Sequence, residues 1–477
     1  MSVQPEDGGL HRGLSRRQMA LLGLGSALGT GLFLGAGAAI SVAGPGVLIS
    51  YAAGALIALT VAFALGEMVS AHPVQGSFGA IAARYLGPFA GFAVRYIYWI
   101  ALIVGIGSEV VAAALYLRFW WPDMPLAVTV LILAAAVTLV NLAGVKSFGS
   151  AESGLSLIKA AAVVAFIGIG CILIVFGLPD KPATGVTNWI SHGGLVPEGA
   201  LALWLVMAIV VFSFAGIELV AISAPEAKDP GASLRSALRS LVLRLTLFYL
   251  GAIAIMLAVI PWPQLASGHG TRTSPFVMMF SAAGIPAAAT VTNLVILITA
   301  LSATNANLYA AARMLHSLGC DRLAPSALGV TTARGVPRRA VLVSSLGFLA
   351  TAGLTAVFGP RVFSVLMSLG AFGVIATWII ILLTLLAFRR NAERPPSTMH
   401  LRGGRITPIM GIAALLSVYG TGFFVPDMRL ACMVGVPALL GLLLAYRLFL
   451  RRSATAGSDE TPVPDTSVDA APRADVV

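Results

Sequence analysis

The chain has 477 residues, 58% of them hydrophobic and only 10% charged, with a mean hydropathy of +0.93 and a net charge of +11. Soluble domains run near a quarter charged, so a chain this apolar cannot cover itself with polar surface and takes lipid as its solvent. The basic excess does not indicate nucleic acid, because its charges are distributed among the connections between apolar segments.

A membrane helix needs about 20 apolar residues. Hydropathy predicts such helices near 18–42, 45–69, 88–116, 126–144, 154–177, 200–223, 240–261, 276–303, 340–358, 362–387, 407–424 and 430–449. Residues 1–14 and 453–477 are polar or rich in Pro, Ala, Asp and Ser, and read as disordered cytoplasmic tails. Ser15-Arg16-Arg17 before an apolar run resembles a twin-arginine export signal. The run is long and further spans follow, unlike the short core of a cleavable signal.

Charge sets the orientation. Arg12, Arg16 and Arg17 precede the first segment, and basic residues from Arg84 and Arg95 to Arg451 and Arg452 follow the even-numbered ones. Twenty-three fall on that side. Five (Arg118, Lys181, Arg272, Arg361 and Arg429) fall on the other. The positive-inside rule then places both termini in the cytoplasm and makes the number of spans even. Cys171 and Cys432 fall in spans and Cys320 in a cytoplasmic loop, so no disulfide or zinc framework follows. The 304–339 connection holds an amphipathic piece, Leu308 to Leu318, which either lies on the membrane surface or continues the eighth helix.

Two helices are interrupted by their own sequence. The first contains Gly25-Ser26-Ala27-Leu28-Gly29-Thr30-Gly31, rich in poor helix formers. The sixth contains Phe212-Ser213-Phe214-Ala215-Gly216-Ile217-Glu218, with an acid in mid-membrane. If the first ten spans form two five-helix repeats, these breaks occupy corresponding positions, a pattern that marks a transporter site. Gly25 and Gly29 also form a GxxxG pair, for which close helix packing is the plainer explanation. The glycines do not make a nucleotide loop, since no strand precedes them.

The breaks belong to a longer set of motifs. These are Gly25 to Gly35, Gly66-Glu67-Met68 running on through HPVQGSFGAIAARYLGPFAGF, FWWPDMP at Phe119 to Pro125, AESGLSLIK at Ala151 to Lys159, FSFAGIELVAISAPEAKDP, and LYAAARMLHSLGCDRLAP followed by RGVP. On these stretches the chain, from about Leu14 to the twelfth helix, resembles the amino acid permeases of the amino acid–polyamine–organocation superfamily, specifically the bacterial amino acid transporter family. The resemblance implies a leucine-transporter-like, all-α membrane fold of 12 helices. Repeat one would span about 18–177, repeat two about 200–387, and two further helices about 407–449, within one membrane domain at 15–452. It also implies proton-driven uptake of an amino acid by alternating access, with no cofactor, metal or nucleic-acid partner.

The residues suit that task. A broken helix offers free backbone groups without a full charge. Amides around Leu28 to Gly31 aim partial positive charge at a carboxylate, and glycines let the backbone approach closely. Carbonyls near Gly25 and near Phe212 to Phe214 are placed to accept from an ammonium. The expected substrate-binding set is therefore Gly25, Ser26, Ala27, Gly29, Thr30, Gly31, Phe212, Ser213, Phe214, Ala215, Gly216 and Glu218.

Glu109, Lys159 and Glu218 are the ionisable residues expected within spans, where such groups are functional by default. In transporters resembling this one, a fifth-helix lysine can stand where sodium-coupled relatives hold sodium, and a desolvated ammonium can exchange a proton. Lys159 is thus the expected proton-coupling residue. Ser302 and Asn305 are expected beside it, and Glu109 is either a second proton site or a structural partner. Glu218 is open to three roles: binding an ammonium, carrying a proton, or capping the broken helix. Glu67, Glu152 and Glu226, near cytoplasmic helix ends, are expected to pair with nearby basic residues. An exchanger, or a carrier of 4-aminobutyrate or a polyamine, is the alternative. All six histidines fall in tails, loops or helix ends, which argues against a membrane-embedded enzyme.

Overall fold

The structure is a computed structural model. It describes residues 29–143, 145–177, 182–227, 233–238, 246–267, 275–282, 288–333 and 335–450, with Ser15, Gln18 and Leu241. The expected tails, and Gly25 to Leu28 of the first break, lie outside the described residues.

Among the described residues the regular elements are helical. In chain order they are α1 (a π-turn, Gly31–Gly35, continued by Ala36–Ala43), α2 (Val47–Ala71), α3 (Ser77–Leu86), α4 (Pro88–Leu117), α5 (Leu126–Ala143) and α6 (Val145–Val175). Then follow α7 (Gly199–Ser213), α8 (Leu219–Ser223), α9 (Leu247–Val259), α10 (Trp262–Ser267), α11 (Pro275–Ala282) and α12 (Ala288–Cys320). The last four are α13 (Arg338–Phe358), α14 (Val362–Arg390), α15 (Ile406–Gly420) and α16 (Pro426–Ala445).

Eight stretches among the described residues are long and apolar enough to cross a membrane. Two of them, Gly31–Ala71 and Arg338–Arg390, are interrupted by Gly44-Pro45-Gly46 and Gly359-Pro360-Arg361. Gly44 (φ +58°) and Gly359 (φ +62°) take a left-handed conformation that ends one helix. The proline behind each then starts the next, where its missing amide costs nothing.

Helix α4 lies at the centre and packs most extensively against α12 and α14. The outer helices leave large apolar side chains uncovered, among them Leu139 of α5 (67% exposed) and Val357 of α13 (75%). Faces of this kind are liabilities in water and ordinary surface in hydrocarbon.

Several expectations change. The stretch expected as one span at 276–303 is two helices, α11 and α12. Their described residues pack against each other, which one continuous helix would not allow. The Leu308 to Leu318 piece continues α12, which carries Cys320 out of the expected loop and into its last turn. Helix α6 covers the expected span and extends back beyond it to Val145. Arg95 and Arg313, counted as loop charges, are buried within α4 and α12.

Candidate functional site

The two interrupted helices meet. In α7 the helix ends at Ser213 and restarts at Leu219, with Gly216 at φ +98° in the turn between. From the other side, α1 begins at Gly31, and a Cβ on Gly31 would stand 2.7 Å from the Ser213 Cα. Only a glycine allows that approach. The first turn of α1 is a π-turn, a form frequent at functional sites because it unsettles the regular ladder.

A cavity of about 40 Å³ opens at this crossing. Gly29 and Gly31 line one side, and Phe212, Ser213, Ala215 and Gly216 another. Helix α4 adds Tyr98, Ala101, Leu102, Gly105 and Glu109, α12 adds Asn307, and α14 adds Val374. Six of the nine described residues of the expected substrate-binding set therefore surround one space.

Helix starts leave amides without intrahelical partners. The Thr30 amide donates to both carboxylate oxygens of Glu109, each at 3.2 Å. Gly29 is needed beside them, since a Cβ there would sit 2.7 Å from Glu109 Oε1. The anion-binding position expected for a substrate carboxylate thus holds the protein's own carboxylate. Among the described residues the buried Tyr98 hydroxyl has no hydrogen-bond partner.

Glu218 stands otherwise. It is fully buried and accepts from the Gly216 amide at 2.8 Å and from the Trp378 indole of α14. Both oxygens are engaged within the protein, one by an amide of the turn and one by a side chain of α14. Phe212 and Phe214, both in the expected substrate-binding set, also separate. Phe212 lines the cavity and packs on Met367 and Ala371. Phe214 turns into the core between Tyr51 and Tyr249, at ring-centroid distances of 5.9 and 4.8 Å. The Ser213 carbonyl, expected to be free for an ammonium, already accepts from the Tyr249 hydroxyl at 2.6 Å.

A second polar cluster forms where α5, α6 and α12 meet. Lys159 is completely buried, 4.0 Å from Glu152 Oε1. Glu152 also accepts from Ser302 Oγ at 2.5 Å and Asn305 Nδ2 at 3.3 Å, and Asn141 Nδ2 donates to Asn305 Oδ1 at 2.8 Å. Ser302 and Asn305 therefore reach Lys159 through Glu152. Sequence reasoning set Glu152 aside as a helix-end charge. The signal that finds it is the spacing of seven from Lys159, two helical turns, which puts both side chains on one face.

Three more ion pairs join distant helices. Arg389 grips Glu67 with two nitrogens, at 2.9 and 2.5 Å, and the Leu401 amide adds a third donor. Arg313 pairs with Glu226 and lies 3.2 Å above the Tyr309 ring. Arg95 meets Asp321 at 2.5 Å. Pairing was expected for Glu67, Glu152 and Glu226. The partners on other helices were not.

Comparison with known proteins places this arrangement. The sequence model of the amino acid permease family matches residues 18–456. The chain is 36% identical to an uncharacterized amino acid permease, YtnA, of Bacillus subtilis, over 96% of this chain and 99% of the relative. It is also 36% identical to the aromatic amino acid transport protein AroP of Escherichia coli K12, over 94% of this chain and 97% of the relative. The AroP of Shigella flexneri matches over the same shares at the same identity.

Proposed function

The chain belongs to the amino acid permease family, a multi-pass membrane family of transporters rather than enzymes, and we propose that it imports an amino acid by proton symport across the cytoplasmic membrane. In this reading it alternates access through twelve spans, arranged as two inverted five-helix repeats and two further helices, with both termini in the cytoplasm. The observation that carries the reading is the Glu109 carboxylate on the Thr30 amide at the cavity wall. A substrate carboxylate needs that same half-helix terminus. Two carboxylates cannot share it while both are ionised. One proton on Glu109 removes the conflict, so cargo and proton would enter together. The buried Lys159–Glu152 pair is a second place where a proton can be exchanged as the helices shift.

The cavity wall away from Glu109, formed by Ala101, Leu102, Phe212 and Val374 beside the Tyr98 hydroxyl, carries no charge. Together with the likeness to aromatic amino acid transport proteins, it supports a cargo with an uncharged, largely apolar side chain. The acid at the site also keeps an amine carrier or an exchanger in view. Purified protein in liposomes tests all of these. Counterflow of labelled amino acids is expected, with accumulation driven by an imposed proton gradient and not by sodium. Exchange without gradient-driven accumulation would make the protein an exchanger. Competition by 4-aminobutyrate or polyamines but not by amino acids would make it an amine carrier.

A further inference from the structure

A second cavity, of about 260 Å³, lies apart from the central one. Its wall includes Phe33 of α1, Ala165 of α6, Phe276 and Phe280 of α11, and Val291 and Thr292 of α12. Phe33 and Phe276 are in contact, with ring centroids 4.6 Å apart. The lining is almost wholly apolar, and the Thr292 hydroxyl is its one side-chain polar group among the described residues.

That hydroxyl is unusual for its helix. Thr299 and Thr304 of α12 donate to the carbonyls of Val295 and Ala300, each at 2.8 Å. Thr292 is 4% exposed and its Oγ1 has no partner among the described residues. Water does not solve this, because a buried water needs two to four polar partners and the described wall offers one. The space suits an apolar body carrying a single hydrogen-bond acceptor.

The cavity also has a side toward lipid. Val291 lines it and is 57% exposed, and Leu294, one turn further along α12, is uncovered as well. Thr292 lies four residues into α12, about 6 Å along the axis from its start. An acceptor there sits near the end of the helix, with the apolar space beside it.

We propose that this cavity holds one acyl chain of a bilayer phospholipid, whose ester carbonyl accepts from the Thr292 hydroxyl. The chain lies against Phe33, Phe276 and Phe280. Phe33 stands two residues past Gly31, so the lipid bears on the same half-helix that lines the central cavity. The proposal rests on the membrane fold and is independent of the cargo.

The test uses the full-length protein in liposomes containing phosphatidylcholine with a diazirine in its sn-2 chain. After photolysis, adducts are mapped by mass spectrometry. Labelling is expected on the segment with Phe276 and Phe280, beyond that on the plain lipid face at Leu139. Ala165→Trp, which fills the space, is expected to reduce it at least about fivefold while Leu139 labelling stays constant. Thr292→Val keeps the shape and removes the donor. It is expected to reduce labelling about fivefold, the worth of one neutral hydrogen bond, and it serves should Ala165→Trp fail to fold. Equal labelling of the wild type and either folded variant would overturn the proposal. So would labelling by a free diazirine-bearing fatty alcohol without labelling by the phospholipid, which would reassign the site to a free amphiphile.

Discussion

Glu109 and Thr30 are 79 residues apart in the chain, yet both carboxylate oxygens of Glu109 lie 3.2 Å from the Thr30 amide nitrogen. An acid from one helix thereby occupies the buried start of another, beside the cavity in which a substrate carboxylate would have to bind.

The first prediction concerns coupling. Glu109→Gln keeps the size of the side chain and removes both its charge and its exchangeable proton. Proton-driven accumulation in liposomes is expected to fall on the order of tenfold, equivalent to about 1.4 kcal/mol. Counterflow, which needs no net proton movement, should persist. Undiminished accumulation by the variant would sink the coupling role.

Gly31 tests the contact between the two broken helices. Gly31→Ala puts a methyl group 2.7 Å from the Ser213 Cα and 2.9 Å from its Oγ. Backbone atoms cannot step aside as a flexible side chain can. The expected cost is about 1–3 kcal/mol of stability, read as a lowered melting temperature in detergent, together with loss of uptake.

Gly105 sets the room available to the cargo. It lines the central cavity, and a Cβ there meets no atom within 4 Å. Gly105→Leu should therefore fold normally while narrowing the space. Affinity for bulky apolar amino acids is expected to drop on the order of tenfold or more, with small ones retained. A competition panel that ranks the same in both proteins would exclude Gly105 as a determinant of side-chain size.

The Glu226–Arg313 pair is buried on both sides. Glu226→Gln leaves Arg313 without its counter-charge, and the expected loss is about 3–5 kcal/mol. Replacing both residues by apolar ones of similar volume should cost much less than the single change. Thermal unfolding of the double replacement and of each single replacement checks this directly. Additive losses would contradict the pairing.

His72, just past α2, bonds the Tyr85 hydroxyl at 2.8 Å. Burial, with Arg84 nearby, lowers its pKa below the ordinary 6.5. The unfolded chain then binds this proton more readily than the folded one. Its contribution to stability is complete above pH 6.5 and declines as pH falls toward the lower folded value. In melting curves between pH 7.5 and 5, His72→Phe should lose stability less steeply than the wild type.

Much of the bundle was legible in the chain, because hydropathy reports a helix's need for lipid one segment at a time. The centres of α4, α5, α13 and α14 fall where the apolar runs predict them. The failures are informative. The run at 276–303 reads as one apolar span, since a hydropathy window does not register where a chain turns back on itself, as α11 and α12 do in packing against each other. Arg95 and Arg313 read as loop charges, since no local rule anticipates a counter-charge on a distant helix.

The sequence by itself determined that this is a membrane bundle with a Gly-interrupted helix at α7, and its motifs identified the kind of bundle. Left-handed backbone at Gly216 and the apolar demand of lipid are properties of residues and their immediate neighbours. Only the tertiary structure decided which polar groups meet. It set Glu109 on the Thr30 amide, Glu152 beside Lys159, and Glu218 against Trp378 rather than at the cavity. Those pairings depend on helix rotation and depth. These are fixed by packing across the whole bundle, at contacts such as Gly31 on Ser213, and not by the order of residues along any one helix.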